Sequence, residues 1–216
     1  MIIRETRAVE EFVNNITGAG DSEVREYIIE LEQDKAFREA LDANMWVFGK
    51  RSYSLEYSIG KKLAGALYAI CRINQPDLVV ETGVGSGVSS SRILCALEKN
   101  GRGRLYSIDV PWWQEEKSGW LIPDYLRGRW DLLAGRSAEK LSPLLEQLGE
   151  IDIFLHDSDH NFRNMMWEFR TAWRYLKKGD LLLSHNIDDN RVFSDFCSEI
   201  DVKGVVLDNM GGVLRP

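Results

Sequence analysis

The chain has 216 residues, 44% of them apolar and 28% charged, and a net charge of −7. That length suits one globular domain with an extension, and the apolar share supplies a sizeable core. An acidic balance excludes non-specific nucleic-acid binding, which needs cations to displace counterions. No apolar run approaches the roughly 20 residues that cross a bilayer, so no membrane partner is expected. Met1-Ile-Ile-Arg-Glu-Thr-Arg7 lacks the apolar core of a signal peptide, and a cytoplasmic location is the expectation. Cys71, Cys95 and Cys197 form no Cys-x-x-Cys pair and read as buried thiols.

Residues 1–75 read as a helical N-terminal extension or lid. Asp21-Ser22-Glu23 can cap a helix whose apolar positions include Val24, Tyr27, Ile28, Leu31, Phe37 and Leu41. Leu55, Ile59, Leu63, Leu67 and Ile70 recur at near-helical spacing. Between these lies Asn44 to Tyr53, an aromatic and basic loop. It either faces a substrate or packs Trp46 and Phe48 on the core.

From Pro76 to Pro216 strands and helices alternate, the signature of an α/β domain with a mostly parallel sheet. Strands are expected near 78–82, 104–108, 130–134, 151–156, 180–184, 204–207 and 212–214. Helical segments are expected at 88–99, 115–127, 137–147, 162–176 and 190–199. Asp208 to Gly212 reads as a hairpin turn, which reverses the last strand.

The first strand runs into Glu81-Thr-Gly83-Val-Gly85-Ser-Gly87. Glycines admit positive φ and close approach of a ligand, and the helix that follows offers free N–H groups. A nucleotide-like cofactor is expected over this turn. The dinucleotide fingerprint Gly-x-Gly-x-x-Gly would need glycine at Val88, which argues against NAD(P). Asp109, at the tip of the second strand, can accept hydrogen bonds from both hydroxyls of a ribose, or simply cap a loop. Ser137 follows the third strand, where a helix N-cap role is also open to it. Trp112, Trp113 and Trp120 sit in the loop after Asp109 and cover either a ligand or the sheet edge.

The fourth strand ends in His156-Asp157-Ser158-Asp159-His160, and the fifth in Ser184-His185-Asn186-Ile187-Asp188-Asp189. Carboxylates and imidazoles gathered at the carboxyl ends of neighbouring strands are costly unless paired or liganded. Open α/β sheets place their sites there.

The pattern Glu81-x-Gly83-x-Gly85-x-Gly87 resembles motif I of the class I S-adenosylmethionine (SAM) methyltransferases. Phe154-Leu-His-Asp-Ser-Asp-His-Asn-Phe162 resembles the strand-four motif of cation-dependent small-molecule O-methyltransferases, and more broadly of sugar- and antibiotic-modifying members. The resemblance covers about Leu78 to Ile187. It implies a Rossmann-like, seven-stranded, mostly parallel sheet with an antiparallel last strand and helices on both faces. Glu81, Gly83, Gly85, Gly87, Asp109, Ser137 and Asp157 are then the cofactor-binding set. Asp157, His185 and Asn186 are the metal set, or else a hydrogen-bonded polar cluster in which His185 donates to Asp157 and Asn186 holds a loop. His185 stands where the family has Asp, which turns the preference from Mg towards Mn, Fe or Zn. His160 is the general base on the acceptor, with His156 as the runner-up.

The implied activity is methyl transfer from SAM to a hydroxyl of a small molecule such as a sugar or natural product, with metal assistance open. Two alternatives stand beside it: a non-catalytic SAM-binding sensor or interaction domain, and an aminopropyltransferase on the same fold. A homodimer is expected by analogy with other helical extensions.

Overall fold

The computed structural model describes residues 2–48, 59–110 and 117–216. The chain opens with α1 (Ile2–Thr17), α2 (Asp21–Gln33), α3 (Lys35–Phe48) and α4 (Lys61–Asn74). The helix expected from Asp21 onward is two helices. Asp34 divides them: its carboxylate accepts the Phe37 amide at 2.9 Å and starts α3. Residues 44–48, expected as a loop, complete α3. Trp46 is 75% exposed there, so it does not pack on the core, whereas Phe48 lies with its ring 6.0 Å from Trp120. The remainder of that expected loop, and Leu55, lie outside the described residues.

The rest alternates as anticipated: β1 (Leu78–Thr82), α5 (Val88–Asn100), β2 (Arg104–Asp109), β3 (Trp130–Ala134), α6 (Ser137–Leu148), β4 (Ile151–His156), α7 (Phe162–Trp173), β5 (Leu176–Ser184), α8 (Val192–Glu199), β6 (Val205–Leu207) and β7 (Met210–Leu214). The sheet order is β3-β2-β1-β4-β5-β7-β6. The first five strands run parallel to one another, and β7 runs antiparallel to both β5 and β6. This is the Rossmann-like sheet with a reversed last strand. Asp208, with φ 51°, takes the left-handed position of the tight turn between β6 and β7. Asp and Asn tolerate that conformation better than other non-glycine residues.

Among the described residues, one expected helix is absent. Residues 117–122 are turn, and Asp124–Arg129 form a 3₁₀ helix. The Gly119 and Leu121 amides donate instead to the Gly85 and Ser86 carbonyls, at 2.8 and 2.9 Å. A segment whose amides are committed to the glycine turn cannot also make an α-helical ladder.

Two cores lie on opposite faces of the sheet. One gathers α1 to α5 over Val79, Leu105, Ile153, Leu155, Leu181 and Leu183. The other gathers α6 to α8 over Val80, Ile108, Phe154 and Leu182. Alternate strand residues point to opposite faces. Glu81 therefore follows Val79 towards α5, while Thr82 and His156 follow Val80 and Phe154 towards α7. No described helix is long and apolar enough to cross a membrane.

Candidate active site

Strand order reverses direction between β1 and β4, and such a switch point opens a crevice at the carboxyl ends of the strands. A cavity of about 1570 Å³ lies there. Gly83, Gly85, Asp109 and Ser137 line it, as do Asp157, His160, His185 and Asn186. Glu81, Gly87 and His156 are not among its lining residues.

The turn from β1 to α5 is built by contacts beneath it. Gly87 has φ +92°, and a Cβ there would meet the Gly119 Cα and the Ile122 side chain, each at 2.9 Å. Its role is to let the loop after β2 close on the turn. Glu81 is fully buried, and accepts from the hydroxyls of Ser89 (2.5 Å), Ser90 (2.6 Å) and Ser107 (2.9 Å). Burial pushes its carboxyl up to about 7, against the pull of those three donors. Glu81 thus ties the first turn of α5 to β1 and β2 from below.

Asp109 sits on the cavity side of the same turn. Burial raises its pKa, while the Ser118 hydroxyl and the amides of Val84, Gly85 and Val110 oppose the shift. Ser118 donates its hydroxyl directly to the Asp109 carboxylate. Ser137 is the first residue of α6, one position inside the cap, and its hydroxyl faces the Asn164 carboxamide oxygen at 3.5 Å. Trp120 is buried in the α1–α5 core and does not line the cavity. Trp112 and Trp113 lie outside the described residues.

At the other end of the cavity Asp157 leaves β4 with its amide on the Thr82 carbonyl, 2.8 Å. Its Oδ1 is 2.8 Å from His185 Nδ1 and 3.9 Å from His160 Nε2. Burial works against a charged His185, but the Asp157 hydrogen bond and charge, with Asp188 and Asp189, raise its pKa overall. Burial and the neighbouring His156 lower that of His160 despite Asp157. The His160 loop is anchored by Asn190, whose side chain donates to the His160 carbonyl at 2.7 Å.

Of the expected metal set, Asp157 and His185 stand together, and His160 joins them. Ligand atoms of Asp157, His160 and His185 lie within 4.8 Å of one another. Asn186 adopts φ 52°, donates to Asp189 at 3.2 Å and accepts from Asn209 at 3.3 Å. Its carboxamide serves the loop, at the wall of the same cavity. One carboxylate and two imidazoles fit Mn, Fe or Zn; they do not make the oxygen shell that Mg requires.

His156, the runner-up base, is fully buried under the site. Its Nδ1 lies 2.6 Å from Glu168, also fully buried. Glu168 further accepts from Thr82 (2.5 Å), Ser158 (2.7 Å) and Asn164 (3.0 Å). Burial opposes its ionisation, but His156 and the hydroxyl donors hold its carboxyl down, at about 2. Sequence reasoning missed Glu168. The available signal was its place on the buried stripe of α7, between Met165 and Phe169 on one side and Ala172 on the other.

A family model described as a methyltransferase domain matches residues 80–187, half of the chain. No curated protein sequence matches it. Among solved structures the chain is similar to the SAH-bound methyltransferase PaMTH1 of Podospora anserina (TM-score 0.63, 13% identity, 82% of this chain and 88% of that one). It is similar to an O-methyltransferase from Bacillus cereus in complex with SAH (TM-score 0.60, 14% identity, 96% and 97%). It also resembles the MycE methyltransferase of the mycinamycin pathway in complex with Mg and SAH (TM-score 0.52, 18% identity), covering 67% of this chain but 46% of that one. At these identities the likenesses speak for the fold, and the match over β1 to β5 speaks for the family: the chain belongs to the methyltransferase-domain family.

Proposed function

We propose that this enzyme transfers the methyl group of SAM to a hydroxyl of a small molecule, such as a sugar or natural product. The observation that carries the reading is a shared cavity. The glycine turn, Asp109, and the Asp157–His160–His185 cluster all open onto the same space. Asp109 would receive the ribose hydroxyls beside Gly83 and Gly85, and Ser137 would lie near the adenine. The acceptor would lie between that cofactor and His160.

SAM, when bound, supplies an electrophilic methyl group, so the chain's own work is to align the acceptor, exclude water and take a proton. An alcohol is a weak nucleophile until it loses that proton. His160 Nε2 would remove it as the acceptor oxygen forms its new bond. A lowered pKa keeps the His160 ring neutral, and so able to take a proton, at neutral pH. A positioned base contributes about 10²–10⁴-fold.

The donor set supports a second version of the same chemistry. Asp157, His160 and His185 would hold a transition metal, which would supply a Lewis acid for the acceptor hydroxyl. His160 is then a ligand and no longer the base. Either version needs a lone pair on His160 Nε2.

The test is calorimetry with SAM, then SAM consumption with a panel of monosaccharides and phenols. Binding and turnover are expected. His160→Ala should lose about 10²–10⁴-fold in turnover with SAM binding intact. Absence of SAM binding would refute the reading. Binding without turnover on any acceptor would favour a SAM sensor. Turnover unaffected by chelation would favour the base over the metal.

A further inference from the structure

Residues 119–122 form no helix, and their backbone groups find distant partners instead, as buried backbone must. The Gly119 and Leu121 amides donate to the Gly85 and Ser86 carbonyls, at 2.8 and 2.9 Å. The Leu121 and Ile122 carbonyls both accept from the Asn44 carboxamide, at 3.2 and 3.3 Å. Arg127 adds bonds to the Gly119 and Ile122 carbonyls, at 2.9 and 3.1 Å. Phe48, one turn beyond Asn44 on α3, has its ring 6.0 Å from that of Trp120. The segment is gripped between the last turns of α3 and the glycine turn that joins β1 to α5.

The segment touches that turn too closely to slide past it. A Cβ on Gly87 would meet the Gly119 Cα and the Ile122 side chain at 2.9 Å. A trans peptide carries its N–H opposite its C=O. Holding the Gly85 and Ser86 carbonyls on Gly119 and Leu121 therefore also sets the direction of the Ser86 and Gly87 amides. Gly85 and Ser86 line the cavity, and Asn44 is not among its lining residues. Asn44 stands 77 and 78 residues from the two carbonyls it binds, so its reach is wholly tertiary.

We propose that Asn44 is a positioning residue for the cofactor: by clamping the Leu121 and Ile122 carbonyls it holds residues 119–122 against the glycine turn, and so fixes the peptide planes that receive SAM. The helical extension then serves the cofactor end of the cavity through α3, besides covering one face of the sheet. The inference rests on the reading that SAM occupies this cavity, but one of its two readouts needs no ligand.

Asn44→Ala, Asn44→Asp and Asn100→Ala in the full-length protein test it. Asn44→Asp keeps the shape of the side chain and turns its donor into an oxygen that faces two carbonyls. Asn100 also ties the extension to α5, by a 2.8 Å bond to the Cys71 carbonyl, but at the end of α5 far from the turn. Calorimetry with SAM should show affinity reduced about 5- to 20-fold in Asn44→Ala, the range for one or two neutral hydrogen bonds. Asn44→Asp should lose at least as much. In the ligand-free protein, the Gly119 and Leu121 amides of both variants should exchange with deuterium faster by a similar factor, as local opening becomes easier. Asn100→Ala should lower the urea midpoint and leave SAM affinity unchanged. Wild-type SAM affinity in the Asn44 variants would overturn the proposal, as would unchanged exchange at Gly119 and Leu121. An equal loss of affinity in Asn100→Ala would also overturn it, since general loosening would then account for the effect. If one Asn44 variant fails to fold, the other decides. A wild type that binds no SAM would fail the functional reading, and the exchange rates would then decide alone whether Asn44 holds the segment.

Discussion

Gly83 and Asp157 meet backbone to backbone: a Cβ built on Gly83 would lie 2.0 Å from the Asp157 carbonyl oxygen. The contact joins the tips of β1 and β4, so the cofactor turn and the imidazole cluster share a wall. Gly83 also has φ +83°, a region that L side chains rarely adopt. Gly83→Ala must therefore move main chain as well as tolerate strain. It should cost on the order of 2–5 kcal/mol and disturb both halves of the cavity. Gly101, with φ +68° and nothing near its Cβ position, is the control. Gly101→Ala bears strain alone and should cost about 1 kcal/mol. Urea unfolding of the two variants checks this; equal losses would show that the Asp157 contact relaxes at no cost.

Asp109 offers a second prediction, because its carboxylate already accepts from Ser118. On the proposed reading, the Ser118 hydroxyl occupies a position on Asp109 that a ribose hydroxyl would take. Asp109→Ala removes the acceptor and should weaken SAM binding about 10- to 100-fold, the range for one or two hydrogen bonds to a charged group. Ser118→Ala removes only the stand-in and should leave SAM affinity within about threefold of wild type. Calorimetry on both variants separates a ribose acceptor from a loop cap. A loop cap would make both losses small.

Much of this was legible from residue patterns, and the exceptions have physical causes. Alternation of strands and helices after Pro76 and the three-glycine turn located the sheet and its crevice. Strand parity, applied to Glu81 and His156, would have turned both away from the cavity. Glu81 shares a face with Val79, and His156 shares one with Phe154. Glu168 was hidden because a helix stripe of Met165, Phe169 and Ala172 looks apolar until its fourth member is inspected. Residues 117–122 resisted a local reading since their amides serve Gly85 and Ser86, a long-range partner that no window of sequence contains. That His160 joins Asp157 and His185 in the cluster depends on a loop anchored by Asn190, again a matter of tertiary structure.

Glu81 makes stability depend on pH in an unusual direction. Its folded pKa is about 7, above its value in an unfolded chain near 4.5. A group raised on folding contributes stability that is complete below the unfolded pKa and is lost as pH rises through the folded one. The wild type should therefore lose stability between about pH 4.5 and 7 on account of this residue. Glu81→Gln removes the titration, and the serine hydroxyls can turn to suit an amide. Relative to wild type it should gain up to about 3 kcal/mol between pH 5 and pH 8. Urea midpoints at the two pH values measure this. A constant difference would mean that Ser89, Ser90 and Ser107 hold the carboxylate ionised throughout.

Metal preference is the last prediction, and it turns on His185. Its Nδ1 lies 2.8 Å from Asp157 Oδ1, an arrangement that favours a proton between them and raises the imidazole pKa above its ordinary value near 6.5. A metal bound at Asp157, His160 and His185 would require a protonated His185 to give up one of its two protons, because only neutral imidazole ligates. Affinity should therefore rise with pH until His185 is neutral and fall as it becomes protonated. Binding should release protons, seen as a dependence of calorimetric heat on the buffer's ionisation enthalpy. With two imidazoles in the set, Mn and Zn should bind in preference to Mg. His185→Asp replaces a nitrogen donor with a second carboxylate, repelled by Asp157 unless a cation lies between them. The variant should shift preference towards Mg and lose stability when cations are chelated. A wild type that binds Mg and Zn equally, or binds either without proton release, would mean that the Asp157–His185 pair is a hydrogen bond closing the cavity floor and no metal centre.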